Sequence, residues 1–365
     1  MINFKKINST LVESESFINF HIHIGGSLFE KSFNKQIRLL EFIQFSDYWN
    51  NMLKLNLMDK KTWNLAADYS VKMAKYWGTS QICTMLGENI LSNNNMRDSY
   101  IGYPFMISDK LKNYLNNAKK QYKEYRELLL KENIKPGIFF HSLYANDKAT
   151  LKLASEIIHD YKNDFFQIHC AEDNETLNKV LVKFKKSPIQ VLKDYNLLNK
   201  NTTIVHGCKL SDNDLKLIKD NDATIVICPV SNVRMGQTPL NPLRLNKIGV
   251  KWIIASDGLG TCDTLNLRYQ AKVLKQCFPQ TSYLDLWRAI TTNPISNIND
   301  TKIHFKVKHL EKLNNEQIAE YLIENYNSEI YDKNGELYCN KKPRRKFGKF
   351  MPTCKDLKDY RRKKL

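Results

Sequence analysis

Short apolar runs alternate with amphipathic stretches along most of this chain, and that alternation limits its fold more than any other feature. An apolar run followed by a stretch with helical spacing is the pattern of a parallel sheet with helical crossovers. The spacing predicts strands over 17–24, 80–86, 101–106, 137–143, 165–170, 203–205, 223–228 and 250–256. Helices are expected over 28–45, 61–77, 109–132, 147–161, 176–185, 189–195, 212–219, 265–276 and 284–291. Eight strands of this kind close a (β/α)8 TIM-type barrel; an open, doubly wound sheet is the alternative. No GxGxxG follows the first strand, which speaks against a dinucleotide-binding version of the open sheet.

The pattern changes after residue 297. A helix is expected over 315–326 and a hairpin over 329–338, turning at Lys333-Asn334-Gly335. The expected organisation is therefore a barrel over 1–300, a short helix-hairpin extension over 301–340 and a basic tail over 341–365. A chain of 365 residues suits this, since a single barrel takes about 250 residues and often more.

The net charge is +18, and Lys and Arg are densest in the tail. Such a run is either a solvated segment or a nucleic-acid contact, so nucleic acid is a candidate partner. The eight cysteines are scattered, with no CxxC pair. The first fifteen residues are polar and lack an apolar core, and no apolar run is long enough to cross a bilayer. A cytoplasmic protein with free thiols and no membrane partner is the expectation. The oligomeric state is left open.

Four short motifs carry the chemistry, each at the C-terminal end of a different expected strand. The first is His21-Ile22-His23. Residues two apart on a strand face one side, so both imidazoles can reach one metal ion. His169-Cys170-Ala171-Glu172 supplies a third nitrogen, with a carboxylate just past the strand. A carboxylate there can take a proton from water and hand it to a leaving amine. His206-Gly207 ends the next strand, and Ser256-Asp257-Gly258 ends the last. Asp257 is a candidate oxygen ligand or a base oriented by the metal. Barrel active sites are assembled on this face. Three histidines, a carboxylate and an open position suit zinc or a similar divalent ion.

The residues resemble a known group at this point. The run His21-Ile-His-Ile-Gly-Gly-Ser-Leu28 is similar to the opening metal motif of adenosine deaminases. The later motifs resemble the chlorohydrolase-type members of the amidohydrolase superfamily that deaminate methylthioadenosine, S-adenosylhomocysteine or aminofutalosine. They are Phe140-His-Ser-Leu-Tyr144, Ile168-His-Cys-Ala-Glu172, Ser187-Pro-Ile-Gln-Val-Leu192, Val205-His-Gly207, Cys228-Pro-Val-Ser-Asn232 and Ala255-Ser-Asp-Gly-Leu259.

The resemblance implies a metal-dependent hydrolase barrel with one zinc on His21, His23, His169 and Asp257. It implies Glu172 as the proton shuttle, His206 as the group that positions the attacking water, and His141 as a contact to the purine ring. No lysine ends the expected 137–143 strand, which favours one metal over two. Ser27 is a candidate substrate contact or a helix cap, and Asn232 a candidate substrate contact from the loop after Cys228.

The chain also departs from the pattern. Only twenty residues precede His21, and the sandwich strands of the chlorohydrolase type are not evident. Gly258 stands where adenosine deaminases carry a second acid. The segment 106–132 and the basic tail match nothing in either group. The expected reaction is zinc-dependent hydrolytic deamination of an adenosine-like nucleoside. The alternatives are another ring, such as guanine, cytosine or a triazine, a nucleic-acid-associated protein on the same scaffold, or an inactive metal-binding relic.

Overall fold

The expected strand–helix alternation is present in the computed structural model, which describes residues 4–29, 60–85, 98–105, 117–296, 299–339 and 341–346. Most of the expected 28–45 helix, the first part of the 109–132 helix and the tail from 347 lie outside the described residues. Eight parallel strands form one sheet: β3 (Phe17–Asn19), β4 (Thr79–Met85), β5 (Tyr100–Phe105), β6 (Lys135–Phe140), β7 (Phe165–Cys170), β8 (Thr202–His206), β9 (Thr224–Ile227) and β10 (Lys251–Ile254). Their order in the sheet is their order in the chain, as right-handed βα crossovers dictate. Helices follow β6 (Lys148–Asp160), β7 (Asn174–Phe184), β8 (Asp212–Asp220) and β9 (Pro229–Arg234). Asp173, Ser211 and Ser187 each cap a helix N-terminus with a side-chain oxygen, a bond worth about 1 kcal/mol.

Side chains from seven strands and their ends meet at the centre: Ile18, Phe20, Cys83, Tyr100, Phe165, Val205, Val226, Cys228, Ile253 and Ala255. They fill the lower barrel and leave only its C-terminal face for chemistry. A larger cluster, including Leu151, Leu192, Leu215 and Leu286, fills the space between strands and helices.

The barrel is nearly closed. Seven neighbouring pairs share parallel ladders, while β3 and β10 share none among the described residues. Their seam is closed differently. Asn19 accepts from the Ser256 amide (3.1 Å) and donates to its hydroxyl (2.7 Å). The Asp257 amide donates to the His21 carbonyl at 3.1 Å. Gly26 and Gly258 touch across the seam: a Cβ on Gly26 would stand 3.1 Å from the Gly258 Cα.

Two expectations change. The first strand ends at Asn19 and not at residue 24, because the chain leaves the β4 ladder, keeping one bond from Ile22 to the Cys83 carbonyl. The residues 24–29 then form a 3-10 turn. Extra strands, not evident in the sequence, also exist. β1 (Lys5–Lys6), β2 (Leu11–Glu15) and β11 (Lys302–Lys306) form a small antiparallel sheet, order β1-β2-β11. Glu15 faces Lys302 and Glu13 faces His304 on one side. Val12, Ser14, Ile303 and Phe305 turn inward on the other.

Trp287 seats this sheet on the barrel. It is fully buried, meets Phe4 at a tilt and Phe17 and Phe305 edge-to-face, and donates its indole N–H to Ser14 at 2.9 Å. The expected 329–338 hairpin is reduced to bridges joining Tyr331 to His304 and Leu337. Helix Asn315–Glu324 packs on helices Leu267–Cys277 and Tyr283–Thr291.

Candidate active site

The C-terminal strand ends bring His21, His23, His141, His169, Glu172, His206 and Asp257 together. Three of these turns need an unusual backbone. Ala171, His206 and Asp257 have φ of 47°, 71° and 63°, in the left-handed region where a non-glycine residue costs about 1–2 kcal/mol. Backbone strain of this kind concentrates where a structure must aim side chains.

Three ring nitrogens converge. His169 Nε2 lies 3.2 Å from His21 Nε2 and 3.2 Å from His23 Nε2. Asp257 Oδ1 lies 3.5 Å from His21 Nε2 and 3.4 Å from His23 Nε2. Ligands at the zinc–nitrogen length of about 2.0–2.1 Å on a tetrahedron stand about 3.3 Å apart. These four separations match the spacing of ligands around one ion, and His21, His23 and His169 together form a group that could hold one.

The protons point to the same conclusion. His169 Nδ1 donates to the His141 carbonyl at 2.9 Å. His21 Nδ1 donates to Gln167 Oε1 at 2.9 Å. The Gln167 amide is itself oriented, because its Nε2 donates to the Phe20 carbonyl and Thr203. Both Nδ1 atoms hold the proton, so both Nε2 atoms present bare lone pairs to each other. Two lone pairs at 3.2 Å repel unless a cation stands between them. The donor set thus fits a divalent metal, and the second partner of each ring is the kind that fixes a ligating histidine.

Asp257 is held as firmly. Its Oδ2 accepts from Ser231 and Thr261, each at 2.7 Å, and Oδ1 accepts from the Gly258 amide at 2.8 Å. Burial works to raise this carboxyl, but contact with His21 and the nearby His23 and His206 rings holds it well below the ordinary carboxylate range. Burial lowers His23 to about 4 and His206 to about 3. Both rings are neutral at pH 7, and for His23 that is the state metal binding needs.

Glu172 sits beside this cage. It is buried, and its Oε2 lies 3.5 Å from His206 Nε2. Burial, with Asp257 and Asp173 adding repulsion, raises it well above the ordinary carboxylate range.

Residues 16–299 match the amidohydrolase family. The chain belongs to that family. A 5-methylthioadenosine/S-adenosylhomocysteine deaminase of Pyrococcus abyssi is 30% identical over 174 residues, 46% of this chain and 40% of the relative. The chain spans between 36% and 40% of the length of four such curated relatives. Among solved structures, the aminofutalosine deaminase of Helicobacter pylori with methylthio-coformycin superposes with a TM-score of 0.69 at 18% identity, over 88% of this chain and 86% of that one. An adenosine deaminase from Xanthomonas campestris with bound zinc superposes with a TM-score of 0.70 at 14% identity, over 96% and 85%.

The remaining expected contacts of this amidohydrolase separate clearly. His141 stands beside the cage, its ring centroid 5.2 Å from that of His169, and burial lowers it to about 4. The turn that follows it is gripped from outside, where Lys183 donates to the carbonyls of Leu143, Tyr144 and Asn146. Ser27 is fully buried and gives its hydroxyl to the Ala66 carbonyl at 2.6 Å. That bond docks the 3-10 turn on helix Lys60–Tyr76. Asn232 is also fully buried, and its amide meets His206 rather than an open cavity.

Gln167, Thr261 and Asn19 lie outside the motifs, and Ser231, inside Cys228-Pro-Val-Ser-Asn232, was given no role there. Two of them leave a signal: Gln167 shares a strand face with His169, and Thr261 falls four residues after Asp257. Gly258 has a steric reason. A Cβ there would stand 2.9 Å from the His23 Cβ, so a second acid has no room.

Among the described residues no helix is long and apolar enough to cross a membrane, and seven cysteines are free thiols.

Proposed function

We propose that this amidohydrolase deaminates an adenosine-like purine nucleoside with water, releasing ammonia. The observation that carries it is the convergence of bare His21 and His169 nitrogens beside a buried Glu172 carboxyl. The names of relatives and structural neighbours support the same reading, and the place of His141 beside His169 is compatible with it.

His21, His23, His169 and Asp257 would hold one divalent ion, zinc first. Such an ion supplies Lewis acidity, which makes water a nucleophile near neutral pH. Glu172 takes the proton of the attacking water and gives it to the ring nitrogen beside the amine-bearing carbon. The new C–O bond forms as that nitrogen gains its proton. Glu172 then carries the second water proton to the amine, the C–N bond breaks, and ammonia leaves. A carboxyl raised by burial is poised to do both transfers. His206 orients the water from the other side, and His141 contacts the ring.

Ammonia release by zinc-loaded protein across adenosine, methylthioadenosine, S-adenosylhomocysteine, aminofutalosine, guanine, cytosine and a triazine tests the reading. Turnover of one adenosine-like member is the expected result. Turnover only of guanine, cytosine or triazine would keep the chemistry and replace the substrate. Silence across the set with metal bound would remove the reaction.

A further inference from the structure

We infer that Asn232 is a positioning residue that fixes the proton of His206 on Nε2, so that His206 is a hydrogen-bond donor to the reacting centre and not a metal ligand or base. The inference rests on the reaction proposed above.

The case begins with three histidines in two proton states. His21 and His169 direct Nδ1 at carbonyl oxygens, which can only accept. His206 directs Nδ1 at an amide nitrogen, Asn232 Nδ2, at 3.0 Å. That nitrogen can only donate, so His206 Nδ1 must accept and its single proton lies on Nε2. This Nε2 lies 3.5 Å from Glu172 Oε2. His206 also comes within ligand reach of His21 and Asp257. A protonated Nε2 has no lone pair to give, so the tautomer keeps it out of the cage.

The Asn232 side chain has little freedom to do anything else. Its backbone N–H donates to the Cys228 carbonyl (2.9 Å), and its carbonyl accepts from Gln237 (2.8 Å). The preceding Ser231 is tied to Asp257, and the Val230 amide is tied to Gln270. Helix Pro229–Arg234 is thus a clip whose adjacent side chains hold two site residues. The fully buried Asn232 Oδ1 has no hydrogen-bond partner among the described residues.

The test uses the full chain, 15N-labelled at histidine and loaded with zinc alone. His206 is assigned by the signals that vanish in His206→Gln. The expected spectrum has His206 protonated at Nε2, and His21 and His169 protonated at Nδ1. His206 protonated at Nδ1 overturns the inference. In Asn232→Asp the carboxylate can only accept, so the His206 proton should move to Nδ1. Zinc content and KM should stay within about twofold while kcat falls about 100-fold. An unchanged kcat, or a kcat loss that merely follows zinc loss, overturns the positioning role. The wild-type spectrum requires no turnover, and its assignment needs only that His206→Gln folds. A chain with this tautomer that deaminates nothing keeps the inference and loses the proposed reaction.

Discussion

The two sides of the site use the same side chain for opposite purposes. On the β3 and β7 side, His21 and His169 are protonated outward, by Gln167 and the His141 carbonyl, and present lone pairs inward. On the β8 and β9 side, His206 faces an amide donor and stands next to a raised carboxyl, and the proposed reaction assigns the protons to that side. In the proposed reaction, what separates a metal-facing ring from a proton-donating one is the partner behind each ring, not the ring itself. Second partners are chosen by the strand interior and by one short helix, and they can be changed one at a time.

The largest expected effect comes from breaking the cage. His169→Ala should abolish stoichiometric metal binding, and with it ammonia release, as metal analysis and an ammonia assay on one sample would show. Removing the partner behind a ligand should do less. Gln167→Leu frees the His21 ring, and Ser231→Ala removes one of two hydroxyls on Asp257 Oδ2; each should weaken metal affinity about 10–100-fold, read by competition with a chelator. Gly258→Ala places a methyl against His23 and should destabilise the fold by about 1–3 kcal/mol, read by denaturant unfolding of the metal-free protein.

The smallest effect should come from the seam. Asn19→Ala removes both hydrogen bonds to Ser256 and should cost about 1–2 kcal/mol in the metal-free protein. It should cost less once metal ties His21 to Asp257 across the gap. Equal losses with and without metal would show that the cage does not staple the barrel.

The sequence made the strand ends legible because a short apolar run, then a histidine or carboxylate, then a glycine or turn is a local signal. His21-Ile-His23, His169, Glu172, His206 and Asp257 all sit in such runs, and the fold brings them together. The parts that escaped depend on distant partners. The pairing of Leu11–Glu15 with Lys302–Lys306 joins the two ends of the described chain, and neither strand is apolar enough to stand out alone. Ser27 reads in the sequence as a cap or a substrate contact, and the carbonyl its hydroxyl meets lies 39 residues away. Asn232 reads in the sequence as a candidate substrate contact from its place in a loop after a strand. Only the geometry shows that its amide is spent on His206.

The division of labour between the two sides rests most directly on Glu172→Gln, measured for metal content and ammonia release in one zinc-loaded preparation. The expected result is one zinc per chain, as in the wild type, with turnover reduced about 10²–10⁴-fold. Zinc lost together with Glu172, or turnover kept without it, would contradict the assignment of the cage to one side and the proton to the other.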